Sequence, residues 1–128
     1  MQHKLDAVIL AAGMGSRISK LTKEIPKGFI QINEEKLIER SLRLLINNNI
    51  RTIYIVTGYK KEHYEQLAKR FINVITINNY KYSETGSFGS FLKIAKHVHN
   101  SFFLLESDLL YEENIIKELI SDKRKNII

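Results

Sequence analysis

Apolar residues in this chain fall into two spacings that take turns along its length. Leu5 to Ala11 (Leu-Asp-Ala-Val-Ile-Leu-Ala) is a mostly apolar run bounded by glycine, as expected of a central strand buried on both faces. Phe29 to Ile32 predicts a short extended piece. Asn33 then suits an N-cap, with Glu34 and Glu35 in the first turn of a helix whose stripe is Leu37, Ile38, Ser41, Leu42 and Leu45 and which stops at Asn47-Asn48-Asn49. Ile50 to Thr57, rich in β-branched residues and closed by Gly58, predicts a second strand. Tyr64, Leu67, Ala68 and Phe71 mark a second helix, and Asn73 to Ile77 a third strand. After a polar stretch, Asn78 to Glu84, the residues Phe88, Phe91, Leu92, Ala95 and Val98 keep helical spacing. Ser101 to Leu105 supplies a fourth strand, and Ile115, Ile116, Leu119 and Ile120 a last helix.

Such alternation predicts βαβ units, hence an α/β fold with a parallel sheet covered on both faces. Ligands in such sheets gather at the carboxyl ends of the strands. Those ends are Ala12-Gly13, Thr57-Gly58-Tyr59, Ile77-Asn78-Asn79 and Glu106-Ser107-Asp108, which places a glycine loop, polar side chains and a carboxylate on one edge.

Composition narrows the class. The 128 residues suit one domain, with 44% hydrophobic and 27% charged residues as in globular proteins. No apolar run nears the ~20 residues of a membrane span, and cysteine is absent, so a cytoplasmic setting is expected. The net charge of +6 is dispersed among acids. Its densest cluster, Lys123-Arg124-Lys125, falls where a helix should end and complements the helix dipole. No basic stripe with stacking aromatics points to nucleic acid, whereas a modest positive field favours a polyanionic small molecule. Asn126-Ile127-Ile128 reads as the start of another strand, so the chain is expected to be a fragment, with an unpaired apolar edge that favours self-association.

The candidate chemistry begins at Gly13-Met14-Gly15-Ser16-Arg17-Ile18 and continues at Pro26-Lys27. Glycines after a strand let backbone N–H groups approach phosphate oxygens, and Arg17 and Lys27 add positive charge. Ile18 occupies the third glycine position of a dinucleotide fingerprint, and the second strand ends without an acid for a ribose hydroxyl. A P-loop fails because no Gly-Lys-Ser/Thr follows at the required spacing.

Strand, Ala12-Gly13-Met14-Gly15-Ser16-Arg17 and Pro26-Lys27 together resemble the N-terminal signature of the sugar-phosphate nucleotidyltransferase family. Within it the chain is most similar to the small cytidylyltransferases for phosphocholine and 2-aminoethylphosphonate. Pro26-Lys27-Gly28-Phe29, Asn79 to Ser87 and Leu104 to Tyr111 carry that likeness, and Thr85-Gly86-Ser87 with Glu106-Ser107-Asp108 inclines it toward 2-aminoethylphosphonate. The resemblance covers essentially the whole chain. It implies a Rossmann-like three-layer sandwich with a mostly parallel sheet, of which residues 1–128 form the nucleotide-binding, N-terminal part of a single nucleotidyltransferase domain.

It also implies a reaction in which a phosphonate or phosphate oxygen attacks the α-phosphorus of CTP and pyrophosphate leaves. The nucleophile is already anionic, so positioning and charge neutralisation suffice. Ala12, Gly13, Gly15 and Ser16 would hold the triphosphate, Arg17 would neutralise the leaving pyrophosphate, and Lys27 would bridge the α-phosphate and the acceptor. Asn79, Thr85 and Ser87 would read ribose or base, and Asp108 would bind Mg²⁺. Asp108 has a plainer reading as a cap for the helix near Glu112, and Glu106 as a local hydrogen-bonding partner. The four histidines show no ligand-like grouping. Two other readings stand beside this one: a non-catalytic nucleotide-binding module, and a sugar-1-phosphate nucleotidyltransferase using another triphosphate.

Overall fold

A computed structural model describes residues 5–13, 25–98 and 100–122, leaving out the side chains of Ser87 and Phe88. Strand β1 (Asp6–Ala11) is followed by a 3₁₀ turn (Lys27–Phe29), the short strands β2 (Gln31–Ile32) and β3 (Glu35–Lys36), and helix α1 (Leu37–Asn47). Then come β4 (Thr52–Thr57), α2 (Lys61–Ala68), β5 (Val74–Asn78), α3 (Tyr82–Ala95), β6 (Phe102–Glu106) and α4 (Glu113–Ser121). The predicted α/β class holds. Four strands form a parallel sheet in the order β5-β4-β1-β6.

Every residue of β1 is buried because β4 and β6 flank it and helices cover both its faces. Successive side chains on a strand point to opposite faces, and the core divides accordingly. Ala7, Ile9 and Ala11 join Ile53 and Ile55 under α1, α2 and α4, whereas Val8 and Leu10 join Val56 and Ile94 of α3. These are the three layers. The stripe on α1 behaves as its spacing predicts, with Leu37, Ile38, Ser41, Leu42 and Leu45 all buried.

Two local predictions are corrected. Asn33 is no helix cap: it has φ 54° and Glu34 has φ 66°, so together they form the left-handed turn of a tight hairpin joining β2 to β3. Asparagine tolerates that region, and two left-handed residues match the twist of paired strands. Glu35 therefore lies in β3, where it pairs with Arg43 of α1 through two 2.9 Å hydrogen bonds, and the helix starts at Leu37. The polar stretch before Phe88 is also partly helical, since α3 begins at Tyr82. Its stripe is displaced as well: Ile94 is fully buried while Leu92 is 55% exposed.

The chain builds outward from β1 through β4 to β5, then returns to place β6 on the opposite side of β1. This reversal opens a crevice beyond the carboxyl ends of β1 and β6, the usual ligand position in an open α/β sheet.

Candidate functional site

A cleft of about 130 Å³ lies at that reversal, lined among others by Ala12, Gly13, Lys27, Tyr82, Gly86 and Asp108. Whole small-molecule pockets run to roughly 300–1,000 Å³, so this cleft has room for part of such a ligand. The end of β1 forms its floor. There the Tyr59 N–H donates to the Ala12 carbonyl at 3.0 Å, and the Ser107 N–H to the Leu10 carbonyl at 3.1 Å. The ends of β1, β4 and β6 are thereby held level.

Lys27 reaches the cleft from the 3₁₀ turn. Pro26 precedes that turn with φ −72°, and the Phe29 N–H closes it on the Pro26 carbonyl at 2.9 Å. Opposite stands Asp108, with Oδ2 3.9 Å from Lys27 Nζ and both side chains about one-third exposed. Asp108 does not cap α4, which begins at Glu113 with Glu112 as its N-cap. The segment carrying Asp108 is fixed further on, where the Arg40 guanidinium donates to the Tyr111 carbonyl. Glu106 also lines the cleft.

The remaining wall is the start of α3. Asn79 is buried, and its amide is used within the protein: Nδ2 donates to Thr85 Oγ1 at 3.0 Å and Ser90 Oγ at 3.2 Å, while Oδ1 accepts from the Lys81 N–H at 3.1 Å. Thr85 Oγ1 in turn donates to the Lys81 carbonyl at 3.0 Å. Asn79 and Thr85 thus shape the first turn of α3. Gly86, with φ 61° and ψ −162°, then breaks the helix against the cleft. That backbone region is essentially open to glycine alone. Ser87 follows in the chain, its side chain outside the described set.

The fold therefore brings Ala12, Gly13, Lys27 and Asp108 together, whereas Asn79 is buried and Thr85 is exposed, and neither lines the cleft. Gly15, Ser16 and Arg17 lie outside the described residues. Among those described, no three His, Cys, Asp or Glu side chains gather into a metal-binding group. Asp108 would thus offer a metal one carboxylate, with Glu106 lining the same cleft, and one or two carboxylates fit Mg²⁺ bound largely through phosphate oxygens.

Periodicity marks Tyr64 only as part of the α2 stripe, and nothing in it places Tyr64 against Gly28 beneath the cleft. Tyr64 is completely buried, and burial pushes its phenol up to about 12, against smaller opposing effects from Ser107 and the Gly28 backbone. The available signal is a tyrosine at the start of an otherwise apolar stripe.

Comparison with known proteins gives the family. The choline-phosphate cytidylyltransferase of Haemophilus influenzae is 37% identical over 111 residues, covering 87% of this chain and 47% of that protein. The 2-aminoethylphosphonate cytidylyltransferase of Lancefieldella rimae is 32% identical over 115 residues, covering 89% and 47%. The solved CTP:phosphocholine cytidylyltransferase of Streptococcus pneumoniae superimposes with a TM-score of 0.79 at 32% identity, covering 86% of this chain and 48% of that one. The chain spans about half the length of the curated relatives it matches. A family model described as the MobA-like NTP transferase domain matches residues 7–127, and the chain belongs to that family.

Proposed function

We propose that this chain is the nucleotide-binding part of a cytidylyltransferase that transfers CMP from CTP to 2-aminoethylphosphonate or phosphocholine. The observation that carries the reading is the meeting of Lys27 and Asp108, 3.9 Å apart, beside Gly13 at the reversal point of the sheet. Relatives named for both acceptors match at similar identity, which supports a small zwitterion bearing a phosphonate or phosphate as the acceptor class.

In the reaction an acceptor oxygen forms a bond to the α-phosphorus while the bond to the bridging α–β oxygen breaks, and that electron pair leaves with pyrophosphate. Gly13, with Gly15 and Ser16, presents backbone N–H groups to the phosphates, and Arg17 balances charge growing on the leaving group. Lys27 draws the two anionic reactants together, offsetting their repulsion. Asp108 would hold Mg²⁺, which supplies charge neutralisation at the phosphate oxygens. Its pairing with Lys27 is weak, being partly exposed. A ligand can therefore separate the two charges at little cost. Asn79, which is buried, and Thr85, which is exposed, act by setting the shape of α3 where it faces the nucleotide.

A second reading, nucleotide binding without turnover, is favoured by the chain's spanning about half the length of the curated relatives it matches. Calorimetry with CTP, UTP and ATP in Mg²⁺, followed by pyrophosphate release with each acceptor, separates the two. Binding of CTP over the other triphosphates is expected. Failure of the folded chain to bind any triphosphate would sink both readings, and binding without pyrophosphate release favours the second.

A further inference from the structure

Two segments meet beneath the cleft, one leading to Lys27 and the other to Asp108, and a buried side chain of α2 lies in the seam between them. Tyr64 packs its ring edge-on against Phe29, with 5.2 Å between centroids. Its hydroxyl faces the Gly28 backbone and the Ser107 side chain without closing a well-formed hydrogen bond to either. A Cβ on Gly28 would stand 2.7 Å from that oxygen and 3.2 Å from Ser107 Cβ and the Ser107 carbonyl oxygen. The phenol oxygen therefore fills room that only glycine leaves. Phenylalanine would serve the packing of the ring without desolvating a hydroxyl, an expense that a buried phenol recovers only through its neighbours. Those neighbours are the residues next to Lys27 and Asp108.

We propose that Tyr64 is a positioning residue whose hydroxyl spaces Gly28 from Ser107 and so sets the separation of Lys27 and Asp108. This rests on the nucleotidyl-transfer reading and deepens it. The hydroxyl touches no reactant. It acts through the two segments, because a lysine and a carboxylate that work on one phosphate group must keep their distance from each other as well as from the ligand.

The test is a double-mutant cycle in CTP binding with Mg²⁺, with Tyr64→Phe made alone and together with Lys27→Ala. Tyr64→Phe should keep or raise Tm, weaken binding about five- to tenfold, and add nothing once Lys27 is gone. Equal losses in both backgrounds, a loss that follows a fall in Tm, or unchanged affinity overturns the proposal. If the unsubstituted chain binds no CTP, the nucleotidyl-transfer reading fails separately. In that case, or if the Lys27→Ala chain binds too weakly to measure, amide exchange of the ligand-free protein decides. Exchange at Gly28 and Ser107 should quicken about tenfold in Tyr64→Phe at unchanged Tm. Unchanged exchange at both amides overturns the spacer role.

Discussion

Lys27 Nζ stands 3.9 Å from Asp108 Oδ2 across the cleft, and each side chain keeps about a third of its surface in water. Such a pair contributes at most about 1 kcal/mol to folding, so the fold does not depend on it. Asp108→Asn is expected to leave urea stability within about 1 kcal/mol of the parent. It should also remove the Mg²⁺ dependence of CTP binding, as read by calorimetry with and without chelator. A large fall in stability, or binding that still needs the metal, would contradict the assignment.

Gly28→Ala puts a methyl group 2.7 Å from the Tyr64 hydroxyl, and overpacking of this kind costs about 1–3 kcal/mol. Adding Tyr64→Phe removes the nearest clash and should recover part of the loss, whereas Ser107, at 3.2 Å, keeps recovery incomplete. Denaturant midpoints of the two single variants and the double variant measure this coupling. Strict additivity would show that the two groups do not meet as described.

Glu34 holds φ 66° in the hairpin turn, a region that costs a residue with a Cβ roughly 1–2 kcal/mol. Glu34→Gly makes the Asn-Gly pair that such turns favour, and it should stabilise the chain by about 0.5–1 kcal/mol after the added freedom of the unfolded glycine is counted. Glu34→Val should shift the thermal midpoint the other way.

At Gly86 the expected cost is torsional. A Cβ there would meet nothing within 4 Å, yet φ 61° with ψ −162° strains any L side chain. Gly86→Ala is therefore expected to lose about 1–3 kcal/mol and to reshape the cleft wall. A D-alanine at this position, installed by ligation, would restore stability because the mirrored angles suit it.

The Tyr64 phenol, raised by burial to about 12, gives an alkaline signature. Below pH ~10 the phenol is protonated whether the chain is folded or unfolded, and stability is independent of it. Above that, the unfolded chain loses the proton first, so stability falls as pH rises from about 10 to 12, by roughly 2–3 kcal/mol. Tyr64→Phe should flatten this part of the pH profile relative to the parent. An identical slope in both would place the phenol in water.

Much of this was legible in residue spacing, because a strand buried on both faces and a helix packed on one leave different apolar periods. β1 and α1 are the clearest cases. The hairpin was hidden since its turn depends on backbone angles at Asn33 and Glu34, and glutamate carries no mark of a left-handed residue. In α3 the kink at Gly86 separates the first turn from the rest, so one stripe cannot describe both parts, and Ile94 rather than Leu92 faces the sheet. Lys27 and Asp108 were each legible from their neighbours. Their meeting belongs to the strand order, which brings β6 back beside β1.

That strand order also imposes a schedule on synthesis. β1 is made before both of its partners, which begin pairing at Thr52 and Phe102. At about 5–20 residues per second of translation, the most apolar strand of the chain waits on the order of seconds for β4 and longer for β6. Until Phe102 to Glu106 have left the ribosome, β1 has one bare edge and the cleft lacks the wall that carries Asp108. Of the described strands, β1 is thus made before both of its neighbours and is flanked on both sides only once β6 arrives, so protection by chaperones during those seconds is expected to matter more than the speed of any single helix.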